Sequence, residues 1–149
     1  MVWKSGKVIG ALAVVALITV QFVGPERTNP RSDPHASFAS AVQPRPEVAA
    51  TLQRACHDCH SNDTVWPWYS RLAPVSWFVV HDVNEGRARL NFSEWTRPGA
   101  EGDKPSMSEV CEEVQAGKMP LRSYLWLHPQ ARLTSQDITA LCTGTAAAR

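Results

Sequence analysis

The sequence predicts an all-α fold: a small helical domain with long ordered loops, preceded by an N-terminal transmembrane helix. Three observations predict it. No segment sustains the apolar–polar alternation of a half-buried strand. Four segments repeat apolar residues at helical spacing, each behind a start signal. An apolar run with lysines in front of it opens the sequence. At 149 residues there is room for one modest domain. Fifteen basic against fourteen acidic residues leave no basic stripe to track a nucleic-acid backbone, so nucleic acid is not an expected partner.

Lys4 and Lys7 precede the run Val8 to Val20, which Phe22 and Val23 extend. At about 16 residues it is short for a span and long for a signal-peptide core. Gln21-Phe22-Val23-Gly24-Pro25 is a poor cleavage site, and no cysteine stands there to take a lipid. Residues 1–24 are therefore read as an uncleaved signal anchor in preference to a cleaved signal peptide. A buried core helix would leave Lys4 and Lys7 without a reason. The lysines favour a cytoplasmic N-terminus, hence a single pass of the bacterial inner membrane with the domain in the periplasm. Arg27 and Arg31 weaken that bias without reversing it. Residues 25–45, with Pro25, Pro30, Pro34 and Pro44 among polar residues, read as an extended tether. The domain proper is then 46–149.

Its first helix begins at Pro46-Glu47, a proline at a permitted first-turn position and an acid at the positive helix end. Val48, Leu52, Ala55 and Cys59 share one face. The second starts at Pro74, passes through Val75, Phe78, Val79 and Val83, and stops at Gly86. The third opens on a capping box, Ser106-Met107-Ser108-Glu109, repeats Met107, Val110, Cys111 and Val114, and ends at Gly117. The fourth opens on Thr134-Ser135-Gln136-Asp137, aspartate replacing the usual Glu or Gln, with Leu133 and Ile138 as a hydrophobic staple. Leu141 and Cys142 continue that face to Gly144. Eleven prolines imply long loops, and six tryptophans imply a large flat apolar object to pack against.

Cys56-His57-Asp58-Cys59-His60 offers such an object. C-x-x-C-H is the attachment signature of haem c. Two thiols on one helical turn can form thioethers to the two vinyl groups, and the next histidine projects its imidazole at the iron. A thioredoxin-like motif would want a preceding strand and βαβ context, and neither is visible. A zinc site would want a second ligand pair of matching spacing, whereas Cys111 and Cys142 stand far apart. A chance match is the bland alternative. The export segment, the scarcity of strand signals and the tryptophans weigh against it, and the fold becomes cytochrome-c-like in expectation.

For the sixth ligand, Met119 in Gly117-Lys118-Met119-Pro120 leads. A thioether sulfur favours ferrous iron and raises the potential, and proline stiffens the loop behind it. Met119 as a core filler is the alternative. His81 and His128 are rival ligands, while Met107 on its helix face reads as core.

At these residues the sequence resembles the bacterial haem-binding domain family of small membrane-anchored c-type cytochromes. The resemblance begins at Glu26-Arg27-Thr28-Asn29-Pro30 and runs through Cys56-His57-Asp58-Cys59-His60-Ser61-Asn62 and Trp66-Pro67-Trp68-Tyr69-Ser70. It continues in Ala73-Pro74-Val75-Ser76-Trp77, Asp82-Val83-Asn84-Glu85-Gly86-Arg87 and Leu90-Asn91-Phe92-Ser93-Glu94-Trp95. Lys118-Met119-Pro120-Leu121 and Leu127-His128-Pro129 complete it. The resemblance implies haem c binding and leaves the physiological role open. Trp66, Trp68, Tyr69 and Trp77 then become candidates to wall the macrocycle, against the alternative of ordinary core aromatics. A backbone carbonyl near Pro67 or Pro74 is a candidate acceptor for the proximal imidazole N–H. Asn91, Phe92 and Ser93 read as a turn without chemistry. Cys111 and Cys142 are expected to pair outside the cytoplasm, the alternative being two buried thiols.

Two functions follow from different classes. The leading one is a membrane-anchored electron carrier, not an enzyme, with one covalent haem c, iron ligands His60 and Met119, and redox proteins as partners. The other is a haem-based sensor or small-ligand module with an open or labile sixth position. A peroxidase would need that open position and a polar distal base, for which His81 and His128 are the candidates.

Overall fold

The computed structural model describes residues 2–96 and 106–144. All regular structure among them is helical, in accord with the all-α expectation. The helices are α1 (Val2–Val20), α2 (Phe38–Val42), α3 (Pro46–Ala55), α4 (His57–His60), α5 (Val75–Arg89), α6 (Met107–Gln115), α7 (Arg122–Leu127) and α8 (Ser135–Gly144). Four short 3-10 turns at Pro34–Ala36, Trp68–Arg71, Phe92–Glu94 and Pro129–Ala131 link them. The chain divides into two compact units, Met1–Thr28 with Trp66–Asp82, and Asn29–Val65 with Val83–Arg149.

In the first unit, the expected transmembrane helix is not found: no helix among the described residues is long and apolar enough to cross a membrane. The reason lies in where α1 starts. Its first turns take in Lys4 and Lys7, so the apolar stretch is only about 13 residues, about 20 Å of helix against roughly 30 Å of hydrocarbon. Beyond α1, the Gln21 side chain both donates to the Ala73 carbonyl (3.2 Å) and accepts the Ala73 N–H (3.0 Å). Arg27 Nη1 donates to the Ser70 carbonyl at 3.2 Å.

The second unit holds the core. Val48 and Leu52 of α3, Met107 and Val114 of α6, and Leu141 of α8 meet Phe38, Leu90 and Phe92, all of them buried. α6 and α8 are joined by the Cys111–Cys142 disulfide, with Cα atoms 5.0 Å apart. Closing a loop of that size restrains the unfolded chain by roughly 3–4 kcal/mol. Both expected capping boxes form. Ser106 and Glu109 exchange bonds, Glu109 Oε2 accepting the Ser106 N–H at 2.8 Å and Ser106 Oγ the Glu109 N–H at 3.4 Å. Thr134 Oγ1 accepts the Asp137 N–H at 3.1 Å, while Asp137 Oδ2 accepts the Thr134 N–H at 2.8 Å. Gly117, at φ 66°, takes the left-handed position that ends α6.

Four elements differ from the sequence reading. The expected extended tether folds in part: Ser37 caps α2, and Phe38 enters the core edge-on to Phe92 and Trp95, at 5.4 and 4.7 Å. Its prolines punctuate a packed segment instead of extending a free one. The helix expected to run through Cys59 breaks at Cys56, whose ψ stays helical while φ moves to −127°. α5 passes through Gly86 to Arg89, because tertiary contact there outweighs glycine's poor helix propensity. α7 had no start signal: Leu121, its cap, makes no side-chain capping bond.

Replacing both Cys111 and Cys142 by alanine is expected to cost about 2–4 kcal/mol in urea unfolding, an effect matched in the native chain by reductant. Asp137 supplies a pH signature. The Thr134 N–H first, then the Thr134 hydroxyl, Arg54 and Thr51, hold its carboxyl well below the usual carboxylate range. A depressed folded value means stability present above the unfolded pKa, about 3.9, and lost as pH falls below it. Asp137→Ala should therefore cost about 1–2 kcal/mol at pH near 7, and the gap from the native chain should close progressively below about pH 4.

Candidate functional site

The motif at residues 56–60 is a single tight turn folded over one carbonyl. The Cys56 N–H still completes α3 through Leu52 (2.9 Å), while the Cys56 carbonyl accepts the N–H groups of Cys59 (3.2 Å) and His60 (2.9 Å). The break at Cys56 thus starts α4 on a new axis. His60 Nδ1 lies 3.0 Å from the carbonyl of Leu90, the residue after α5. With Nδ1–H donating there, Nε2 keeps its lone pair for a metal. Burial lowers the His60 pKa and the carbonyls of Leu90 and Gly86 oppose it, so the ring is held neutral. The acceptor is thus the Leu90 carbonyl, in place of the expected carbonyl near Pro67 or Pro74.

Cys56 and Cys59 are not joined to each other. Burial, and then the neighbouring Cys59, push the Cys56 thiol up to about 12. A thioredoxin-like nucleophile needs the opposite, a thiolate favoured near neutral pH. The zinc reading loses its second ligand pair, since Cys111 and Cys142 are consumed in the disulfide.

Around the turn, α5 and the 3-10 turn at Phe92–Glu94 form a cradle. A Cβ on Gly86 would stand 2.6 Å from the Cys59 carbonyl oxygen, so only glycine lets α5 approach this closely. One turn of chain after His60 is clamped. Arg87 Nε donates to the Ser61 carbonyl (2.7 Å), and Nη2 to Thr64 Oγ1 (2.7 Å) and Asn29 Oδ1 (3.0 Å). Asn62, almost fully buried, receives Asn91 Nδ2 at 2.8 Å and donates to Glu94 Oε1 at 3.0 Å. Its N–H donates to Ser93 Oγ at 3.0 Å. Asn91 and Ser93, read from sequence as a turn without chemistry, therefore brace the segment that follows His60.

The other named residues divide cleanly. Cys56 and Met119 both pack against the hydrophobic core, and His60 meets the same core edge-on through Phe92 (ring centroids 6.4 Å). Met107 is buried in that core, as expected. His81 is exposed and belongs to the first unit. His128 stacks on Tyr124 at 4.0 Å with Nδ1 3.2 Å from the Tyr124 carbonyl. Trp66, Trp68, Tyr69 and Trp77 all lie in the first unit, Trp68 being 72 % exposed. A cleft of about 520 Å³ opens beside His57 and Phe92, but Cys56, Cys59, His60 and Met119 do not line it. Sequence reasoning missed Gly86, Arg87 and Leu90. The only available signal for the first was a glycine inside a helical pattern.

The sequence model of the haem-binding domain matches residues 15–147. The chain belongs to the haem-binding domain family. No curated protein and no solved structure shows a significant match to it. Membership makes haem its cofactor, and the donor set of this haem-binding domain fits that group. Two thiols remain as thiols on one turn, beside a neutral imidazole whose outer nitrogen is already satisfied.

Gly86→Ala forces the added methyl into a backbone carbonyl, which cannot swing aside as a flexible side chain would. It is expected to cost about 1–3 kcal/mol and to reduce the haem bound per chain, as read by absorbance of the purified protein.

Proposed function

We propose that this haem-binding domain is a single-haem c-type cytochrome that carries electrons outside the cytoplasm. The observation that carries the reading is the His60–Leu90 bond, at 3.0 Å, beside two unoxidised thiols in C-x-x-C-H spacing. Cys56 and Cys59 would hold the haem through thioether bonds, His60 Nε2 would be the proximal ligand, and Met119 the distal one. When bound, the haem supplies a one-electron iron couple. The protein's part is placement. The Leu90 carbonyl fixes the tautomer and tilt of His60, and the Arg87 and Asn62 contacts hold the following segment still. The hydrophobic core beside Cys56 and Met119 keeps water away and favours the less charged ferrous state.

An exported location is supported by the Cys111–Cys142 disulfide, since such bonds persist in oxidising compartments. It is also supported by the exposed apolar run from Val8 to Val23 behind Lys4 and Lys7, the charge-then-apolar order of an export segment. We take this run to associate the domain with the membrane on the periplasmic side, where redox proteins would be its partners.

Two measurements test the reading. An alkaline pyridine spectrum of acid–acetone-extracted protein should retain haem with the c-type α band in the native chain and lose it in the Cys56→Ala, Cys59→Ala double variant. Extractable haem in the native chain sinks covalent attachment. Met119→Ala should lower the reduction potential by on the order of 0.1 V or more and open the ferrous protein to carbon monoxide. A native protein that already binds carbon monoxide tightly would favour the sensor.

A further inference from the structure

Asp58, between the two cysteines, has no part in the ligand set just described, yet all three of its oxygens accept hydrogen bonds. Oδ1 accepts the Val65 N–H at 3.2 Å, Oδ2 accepts the Tyr124 hydroxyl at 2.8 Å, and the Asp58 carbonyl accepts the Thr64 hydroxyl at 2.7 Å. The bond from Tyr124 spans 66 positions of sequence. It ties the attachment turn to α7, the helix that follows the Met119-Pro120 loop through its cap, Leu121.

The loop is held at two ends. On its N-terminal side the Glu113 carbonyl of α6 accepts the N–H groups of Lys118 (3.0 Å) and Met119 (3.3 Å). On its C-terminal side stands α7, six residues long, whose Arg122, Ser123, Trp126 and Leu127 are exposed. Burial of an apolar face does not fix so short and exposed a helix. A phenol donating to a carboxylate does, because a charge-assisted bond is roughly twice as strong as a neutral one. The Tyr124 ring is itself steadied by the parallel His128 ring 4.0 Å away.

We propose that Asp58 and Tyr124 are a positioning pair: their hydrogen bond sets how far the Met119 loop stands from the turn that bears His60, and so how firmly Met119 holds the iron. The inference rests on the ligation proposed above. Neither residue touches the iron. Both act through the loop.

The test uses the full haem-loaded chain with Tyr124→Phe, Asp58→Ala, the double variant, Asp58→Asn and Met119→Ala. The readouts are carbon monoxide affinity of the ferrous form, reduction potential, and the methionine-to-iron charge-transfer band of the ferric form. Tyr124→Phe and Asp58→Ala should each raise carbon monoxide affinity about tenfold and weaken the band, and Tyr124→Phe should lower the potential. The double variant should go no further than Asp58→Ala, because that variant already loses the Tyr124 bond together with the one from Val65. Asp58→Asn keeps the Val65 bond through its oxygen but replaces the charge-assisted bond by a neutral one in which its amide donates to the Tyr124 hydroxyl, so its affinity should fall between those of the native chain and Asp58→Ala. Native affinity and band in Tyr124→Phe, or effects that add in the double variant, overturn the proposal. If Met119→Ala itself matches the native protein, the ligation reading has failed; if it departs from native while Tyr124→Phe does not, only the positioning role has.

Discussion

The arrangement of the second unit depends on one bond, from the His60 ring to the Leu90 carbonyl. For His60 to reach that carbonyl, α5 must run past Gly86 and lie against the attachment turn, and Gly86 must lack a side chain. Once α5 is there, Arg87 is brought over the segment after His60, and Asn91 and Ser93 reach Asn62 from the turn that follows. Phe92, carried by the same turn, touches His60 on one side and the core on the other. A change in the seat of α5 would therefore reach ligand orientation, loop bracing and core packing together.

Stability and site geometry are supplied by different parts of the chain. The α6–α8 pair is clamped by its disulfide and two capping boxes, and Arg54 and Thr51 tie it to α3 through Asp137. The attachment turn is held mostly by polar contacts to backbone carbonyls and amides, which are directional and tolerate little displacement. This division lets the clamp absorb thermal cost while the polar cradle fixes angles at His60.

Much of this was legible in the chain because the signals were local. The capping boxes at Ser106 and Thr134, the pairing of Cys111 with Cys142 and the core role of Met107 each depend on nearby spacing or on compartment. What was not legible depends on contacts distant in sequence. Gly86 looked like a helix stop because propensity says so, and only the approach of Cys59 reverses that. The residues around Pro25–Pro44 looked like a tether because prolines dominate their composition, although Ser37 with Phe38 and Val42 carried a short capped helix. Leu90 could not be found at all, since a backbone carbonyl has no letter in the sequence. The membrane span is not found because α1 takes in Lys4 and Lys7 at its start and ends at Val20, leaving an apolar stretch shorter than the run that reads on to Val23.

The burial of Cys56 has a consequence for the order of assembly. A thiol pushed up to about 12 is almost never a thiolate near neutral pH, and the thiolate is the form that reacts. In the folded chain the half-buried Cys56 would therefore react slowly, whether with Cys59 or with a macrocycle. If haem is attached through thioethers as proposed, attachment is favoured before α3 and α5 close, while the chain is still open. Under that proposal closure of the fold follows loading, and a chain that closes empty takes up haem covalently only slowly.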